Sequence, residues 1–320
     1  MKSKISNVLV IGSGMMALEY LKVLNSMKKS VDIVGRGDNN LNKLKNIYPD
    51  YNYYSGGIDK YLASNPELPD FAINTVNIEH LGSTSKIITD YGINNLLIEK
   101  PGDISIKKLE EISTKSRLNN SKVFVAYNRR FYASINNLVK EARKDGGITS
   151  LNFEFTEWVH TFGPDTHSIE ALNHWVLSNS SHVIDTVFYL IGMPKSITTQ
   201  VSGKNKIRWH PSGSIFTGIG KSKNNIPFSY HANWKGPGRW SIEVITNKRR
   251  FYLKPMEKLL EQNIGSVTLN ELEIDDSLDL QFKPGLYLQT KAFLEHNYTD
   301  LLDIEDQIDS MKIYAKIAGY

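Results

Sequence analysis

Gly12, Gly14 and Ala17 stand at the spacing G-x-G-x-x-G/A directly after the short apolar run 8–11, and a helical pattern with Ala17, Leu18 and Leu21 on one face follows. In a strand, turn and helix of this kind the first glycine permits the turn and the second lets a pyrophosphate reach the backbone. The small third residue lets helix and strand pack closely. The first-turn N–H groups, at the partly positive end of the helix, suit a diphosphate. Gly12, Ser13, Gly14, Met15 and Met16 are therefore expected to contact a dinucleotide. A second concentration of reactive types lies in residues 158–192, which hold His160, Asp165, His167, His174 and His182 beside Trp158 and Trp175. Successive histidines are seven, seven and eight residues apart. Neither H-x-x-x-H nor H-E-x-x-H occurs, so no metal is expected.

The elements that must position these groups change character midway. Apolar runs at 8–11, 31–34, 71–75, 96–98 and 123–126, with a further strand at 51–54, alternate with helical patterns at 41–47, 82–91 and 106–118. Continuous buried strands between amphipathic helices imply a parallel sheet covered on both faces, whose ligands sit at the carboxyl ends of the strands. Those ends carry Arg36, Val76-Asn77, Glu99-Lys100-Pro101 and Tyr127-Asn128. Arg36 suits the 2′-phosphate of NADP, whereas Asp38, two residues on, could still hold an NAD ribose. From residue 148 strict alternation takes over, as in 151–156 and 228–234, which implies antiparallel sheet with unlike faces. Asn224-Asn225 and Asn247-Lys248 are expected as hairpin turns, and helices are expected at 286–296 and 304–317.

With 320 residues the chain exceeds one core, and two domains are expected, 1–129 and 130–320. The net charge of +4 comes without a basic block, so nucleic acid is not an expected partner. The absence of cysteine excludes a disulfide scaffold, a thiolate nucleophile and Cys-ligated metal, and fits the cytoplasm. Neither a signal peptide nor a membrane span is expected, because the run 8–11 is too short and 183–192 contains Asp185.

Several motifs together carry a resemblance: VIGSGMMA at 10–17, residues 74–80, Glu99-Lys100-Pro101, YNRRF at 127–131 and HVIDTVFYLIG at 182–192. The chain resembles the glucose–fructose oxidoreductase, inositol dehydrogenase and rhizopine-catabolism (Gfo/Idh/MocA) family. The resemblance implies an N-terminal Rossmann domain, a C-terminal domain on a large open, mostly antiparallel sheet, and NAD(P)-dependent redox chemistry on sugars or related polyols. It implies that Lys100 is the active-site lysine and His182 the general base. Val76, Asn77, His80, Glu99, Lys100 and Asn128 join Arg36 and the glycine turn as expected cofactor contacts.

A lysine fixed at the end of a buried strand can act as a cation that lowers the pKa of a substrate hydroxyl. One position departs from the family. Where many members carry an acid four residues before the histidine, this chain has Ser178, which cannot share a proton at neutral pH. Either His182 works with Lys100 alone, or a carboxylate such as Glu157 or Asp165 takes that place. Trp158 and Trp175 are expected to stack on a sugar, Ser178 to bind one of its hydroxyls, and Arg239 to clamp a phosphate or carboxylate. The alternative is a dinucleotide-binding regulator that kept the fold without turnover. An open sheet face further suggests a homodimer or homotetramer, with the strand 229–233 near the contact.

Overall fold

The computed structural model describes residues 8–320; Asn7 and the charged segment 1–4 lie outside the described residues. The chain divides into two compact units, 1–127 with 286–308, and 128–285 with 309–320. In chain order the first unit opens with β1 (Val8–Ile11), α1 (Met15–Ser26), β2 (Val31–Gly35), α2 (Asp38–Ile47), β3 (Asn52–Ser55) and α3 (Gly57–Ala63). It continues with β4 (Phe71–Asn74), α4 (Ile78–Tyr91), β5 (Asn95–Glu99), α5 (Ile106–Leu118) and β6 (Lys122–Ala126). These six strands are parallel in the order β6-β5-β4-β1-β2-β3, the doubly wound arrangement expected. Every residue of β1 and β4 is buried, as two helical layers require. Helix α2 starts three residues before the expected 41, which places Asp38 in its first turn.

The second unit contains α6 (Ala133–Lys144), β7 (Ser150–Glu154), α7 (Ile169–Asn173), α8 (Ser181–Ile191), β8 (Pro194–Ser202), β9 (Ile215–Ser222) and β10 (Pro227–Asn233). Next come β11 (Ser241–Ile245), β12 (Arg249–Leu253), β13 (Leu260–Asn263), β14 (Asn270–Glu271) and α9 (Ser277–Gln281). Its eight-stranded sheet runs β14-β13-β12-β11-β7-β10-β9-β8 and is antiparallel except between β7 and β10. Alternation in β10 is as read: Phe228, Tyr230 and Ala232 are buried, while Ser229, His231 and Asn233 face outward. Helix α8 is buried from Ser181 to Phe188. It is held to the 128–131 turn by Arg130, whose Nε and Nη2 donate to the two Asp185 oxygens at 2.8 and 2.7 Å.

The chain closes with α10 (Leu286–Leu294), β15 (Leu302–Asp303) and α11 (Ile304–Ala318). Residues 286–308, expected with the second domain, cluster instead with the first unit. Phe293 is fully buried there, edge-on to Phe71 at 5.3 Å and to Phe124 at 6.3 Å, and β15 pairs with β6 at the edge of the parallel sheet. Among the described residues no helix is long and apolar enough to cross a membrane.

The loop between β8 and β9 is anchored by His210, which is fully buried. Its Nδ1 lies 3.0 Å from the Gly213 carbonyl and must be the protonated nitrogen, so Nε2 accepts from the Tyr320 hydroxyl at 2.6 Å. Burial pulls the imidazole from its ordinary 6.5 down to about 4. Between those values the unfolded chain binds a proton that the folded one refuses, so stability falls as the solution is acidified through that window. We expect the native chain to lose about 2 kcal/mol more than His210→Gln between pH 7.5 and pH 5, in urea titrations at both values. Equal losses in the two proteins would contradict the neutral buried imidazole.

Candidate functional site

At the carboxyl ends of β1, β2 and β4 the first unit carries a cleft of about 800 Å³, within the range of small-molecule and cofactor sites. It is lined by Gly12, Ser13, Gly14, Arg36, Asp38, Gly56, Gly57, Thr75, Val76, Asn77 and His80, among others. Gly12 adopts φ +114°, and a Cβ there would sit 2.5 Å from Thr75 Oγ1 and 2.9 Å from the Thr75 carbonyl. The Thr75 N–H and hydroxyl both donate to the Ile11 carbonyl, at 2.7 and 2.9 Å, and so tie the ends of β1 and β4 together. Gly14 differs from Gly12. It is exposed, and nothing lies within 4 Å of the position its Cβ would take.

Helices α1, α2 and α4 begin at this cleft with Gly14, Gly37 and Asn77 as N-caps, and none of the three receives a side-chain capping bond. Side chains therefore do not occupy the first-turn N–H groups of these helices, although in α4 the His80 N–H donates to the Asn77 carbonyl at 2.8 Å. Met15 is exposed at the first turn of α1 and Met16 is half-buried. Arg36 is exposed at the rim, with Nη1 3.2 Å from His80 Nε2, to which the guanidinium donates. Asp38 stands exposed two residues on, and Val76 is half-buried at the start of the next loop.

Glu99 ends β5, Lys100 follows it in the turn, and both are half-buried. Glu99 accepts the hydroxyl of the fully buried Tyr20 at 2.8 Å, and burial, with the nearby carboxylate, raises that phenol well above its ordinary value. The turn after Lys100 is closed by the Gly102 N–H on the Glu99 carbonyl at 3.0 Å. Gln307, also buried, donates to the Pro101 carbonyl at 2.8 Å. Lys100 is thus carried on a braced turn.

In the second unit His182 lies near the start of α8, 9% exposed, with its ring centre 6.0 Å from that of Trp240. Asp185, three residues on, is committed to Arg130 rather than to the imidazole. The step before α8 is a π-helical turn, Val176–Ser180, so residues 178 and 182 do not stack as they would one α-helical turn apart. Ser178 donates its proton to the Ala171 carbonyl at 3.0 Å. Glu157 is buried and accepts from Ser180 at 2.7 Å, Asn179 at 3.1 Å and Arg239 Nη1 at 3.2 Å. Burial raises its carboxyl above the usual range, and Ser180, Arg239 and Asn179 oppose that rise. Asp165, the other carboxylate considered, is exposed in a loop.

The remaining expected residues divide. Trp158 is 48% exposed and donates to the Gly238 carbonyl at 2.9 Å, with the Arg239 guanidinium 4.8 Å from its ring centre. Trp175 is buried at 4% exposure within Phe162, His167 and Trp209, which corrects the expectation that its face is open to a sugar. Asn128 is buried and donates to the Pro284 carbonyl at 2.8 Å. Among the described residues no group of three or more His, Asp or Glu is arranged to hold a metal ion.

Sequence reading missed Thr75 and the Gly56-Gly57 step, which line the cleft from loops that carry no motif. It also left Arg129 without a role. The signal was present in the doubled arginine of YNRRF, of which only one can meet Asp185.

Comparison with solved structures identifies the fold. UDP-N-acetylglucosamine 3-dehydrogenase GnnA from Acidithiobacillus ferrooxidans superposes with a TM-score of 0.75 at 12% identity, covering 98% of this chain and 97% of that one. The dehydrogenase MviM from Clostridium difficile gives a TM-score of 0.76 at 17% identity over 99% of each chain. The WlbA dehydrogenase from Chromobacterium violaceum, solved with NADH and UDP-GlcNAcA, gives 0.71 at 14% identity over 99% of this chain and 95% of that one. The likeness is one of fold, and the architecture implied by the sequence resemblance is the one observed. No family model matches the chain, and no curated protein matches it in sequence.

The two glycines of the turn should separate experimentally. Gly12→Ala is expected to cost about 1–3 kcal/mol, because it forces a strained backbone against Thr75. Gly14→Ala should cost less than about 1 kcal/mol, the difference in N-cap preference. Urea unfolding of both variants checks this, and similar losses at the two positions would refute it.

Proposed function

We propose that the protein is an NAD(P)-dependent oxidoreductase that moves a hydride between a nicotinamide and a hydroxyl-bearing carbon of a sugar or sugar derivative. The observation that carries this reading is the cleft of the first unit. Gly12 brings the turn after β1 close to Thr75, Gly14 leaves the backbone open, and three helices present uncapped first turns there. The dehydrogenases of like fold support the same class of reaction, one of them solved with NADH and a sugar nucleotide.

Under this reading Gly12, Ser13, Gly14, Met15 and Met16 hold the diphosphate, with Val76 and Asn77 beside them. Arg36, held beside His80, offers a guanidinium suited to a 2′-phosphate, which favours NADP; NAD would use Asp38. When bound, the nicotinamide supplies or accepts the hydride. Glu99 has a structural part, as the acceptor for Tyr20 that holds the end of β5. Lys100 supplies a cation that stabilises a developing alkoxide, and His182 exchanges the hydroxyl proton. Trp158 offers an exposed ring to a sugar. The outward face of the second sheet, including Ser229, His231 and Asn233, is the surface we assign to self-association.

The regulator reading retains one specific support. Ser178 and Asp185 are engaged with Ala171 and Arg130, and neither supplies His182 with a carboxylate relay.

Titration with NADPH and NADH, followed by turnover on a panel of sugars and sugar nucleotides, separates the two. Arg36→Ala should weaken NADPH at least about tenfold more than NADH, since a charge-assisted contact is worth roughly 1.5–3 kcal/mol. Equal losses would remove the NADP assignment. Lys100→Met should cut kcat by about 10²-fold or more while NADPH still binds, as expected for a group that matters more to the chemical step than to cofactor binding. Native turnover in that variant would end its catalytic role, and dinucleotide binding without turnover of any sugar would favour the regulator.

A further inference from the structure

Three of the second unit's arginines are paired with carboxylates, and Arg129 is not. Arg130 has Asp185, and Arg249 has Asp145, Glu141 and Glu261 within 2.9 Å. Arg239 has Glu157 at 3.2 Å. Arg129 is half-buried, and its Nε is sealed from solvent without a hydrogen-bond partner. No carboxylate among the described residues is within ion-pairing distance of it. Glu157 and the exposed Glu257 act on it only through space, and Arg239 opposes them. Its contacts are aromatic: the guanidinium carbon lies 4.6 Å from the centre of Trp240 and 5.6 Å from that of Tyr132.

Arg239 shares the same indole, at 4.6 Å, and also faces Trp158. Two guanidiniums on one tryptophan, with a single buried carboxylate between them, leave one positive charge uncompensated. A guanidinium N–H sealed from water is costly unless an acceptor meets it. Cation–π contact with Trp240 offsets part of that cost but cannot satisfy an N–H. Arg239 and Trp158 are both substantially exposed, so the stack is open to solvent on their side. His182 lies against the same Trp240 ring.

We propose that Arg129 and Arg239, stacked on Trp240, bind the anionic group of the substrate, a carboxylate or a phosphate attached to the sugar. The proposal rests on the oxidoreductase reading and narrows its substrate class from sugars in general to acidic or phosphorylated ones. Arg129 is the principal charge, because Arg239 is already paired with Glu157. Trp240 fixes the plane of both guanidiniums and Trp158 covers the solvent side.

The test is direct binding to the full-length chain by calorimetry, at fixed ionic strength, of glucose, glucuronate, glucose 1-phosphate and UDP-glucose. At least one anionic ligand should bind tenfold or more tighter than glucose, and its affinity should fall as salt is raised. Preference for glucuronate identifies the carboxylate, and preference for the other two identifies the phosphate. Arg129→Met should weaken the preferred anion by about tenfold to a hundredfold, the size of a charge-assisted contact, and leave NADPH affinity unchanged. Arg129→Lys keeps the charge without the planar fork and should recover part of the loss, which also guards against a variant that merely unfolds.

Equal affinity for glucose and the anions, no measurable binding of any of the four, or full anion affinity in Arg129→Met would overturn the proposal. Failure of NADPH to bind the native chain would instead defeat the oxidoreductase reading, and the anion measurements would still stand by themselves.

Discussion

Everything in the first unit that bears on a ligand depends on one close approach, that of Gly12 to Thr75. The turn after β1 and the turn after β4 meet where a methyl group would not fit, and Thr75 closes the meeting with two bonds to Ile11. Because both strands are parallel and adjacent, their carboxyl ends lie on the same edge, and the helices that follow start there. A cleft with backbone N–H groups along its wall results from that geometry before any side chain is specified. Side chains then set preferences at its rim, where Arg36 and His80 meet.

The second unit is governed by how it allocates negative charge. Asp185 is the clearest case. A carboxylate buried on α8 would be costly alone, yet it locks that helix to the turn bearing Arg130 through two parallel bonds. Glu157 is held in a similar way by Ser180, Asn179 and Arg239, so the π-helical turn and the loop that carries Arg239 are tied to one buried group. With these acids committed, Arg129 must rely on aromatic faces. The uneven distribution of partners, more than the number of charges, marks this part of the unit as chemically distinctive.

How much of this could be read in the sequence follows from the range of the interactions. The glycine turn, the parallel strands and the switch to alternation at β7 are local patterns, and each appeared where expected. Helix α3 and the cleft residues Gly56 and Gly57 have no periodicity long enough to announce them. The return of 286–308 to the first unit rests on Phe293 meeting Phe71 and Phe124, contacts more than 160 residues apart in sequence that no spacing rule encodes. Trp175 shows the limit of reasoning from residue type: a tryptophan beside a histidine-rich segment suits a sugar platform, and packing buries it among other rings.

Position 178 carries the sharpest lesson about reading chemistry from spacing. A four-residue interval means one shared face only if the helix is α-helical throughout, and here Val176–Ser180 is a π turn. An acid at 178 in this backbone would point at the Ala171 carbonyl, where its charge would be repelled, so serine suits the position on structural grounds alone. The widened turn that takes Ser178 away also presents Asn179 and Ser180 to Glu157, so this segment is tied to a buried carboxylate three residues beyond the end of β7.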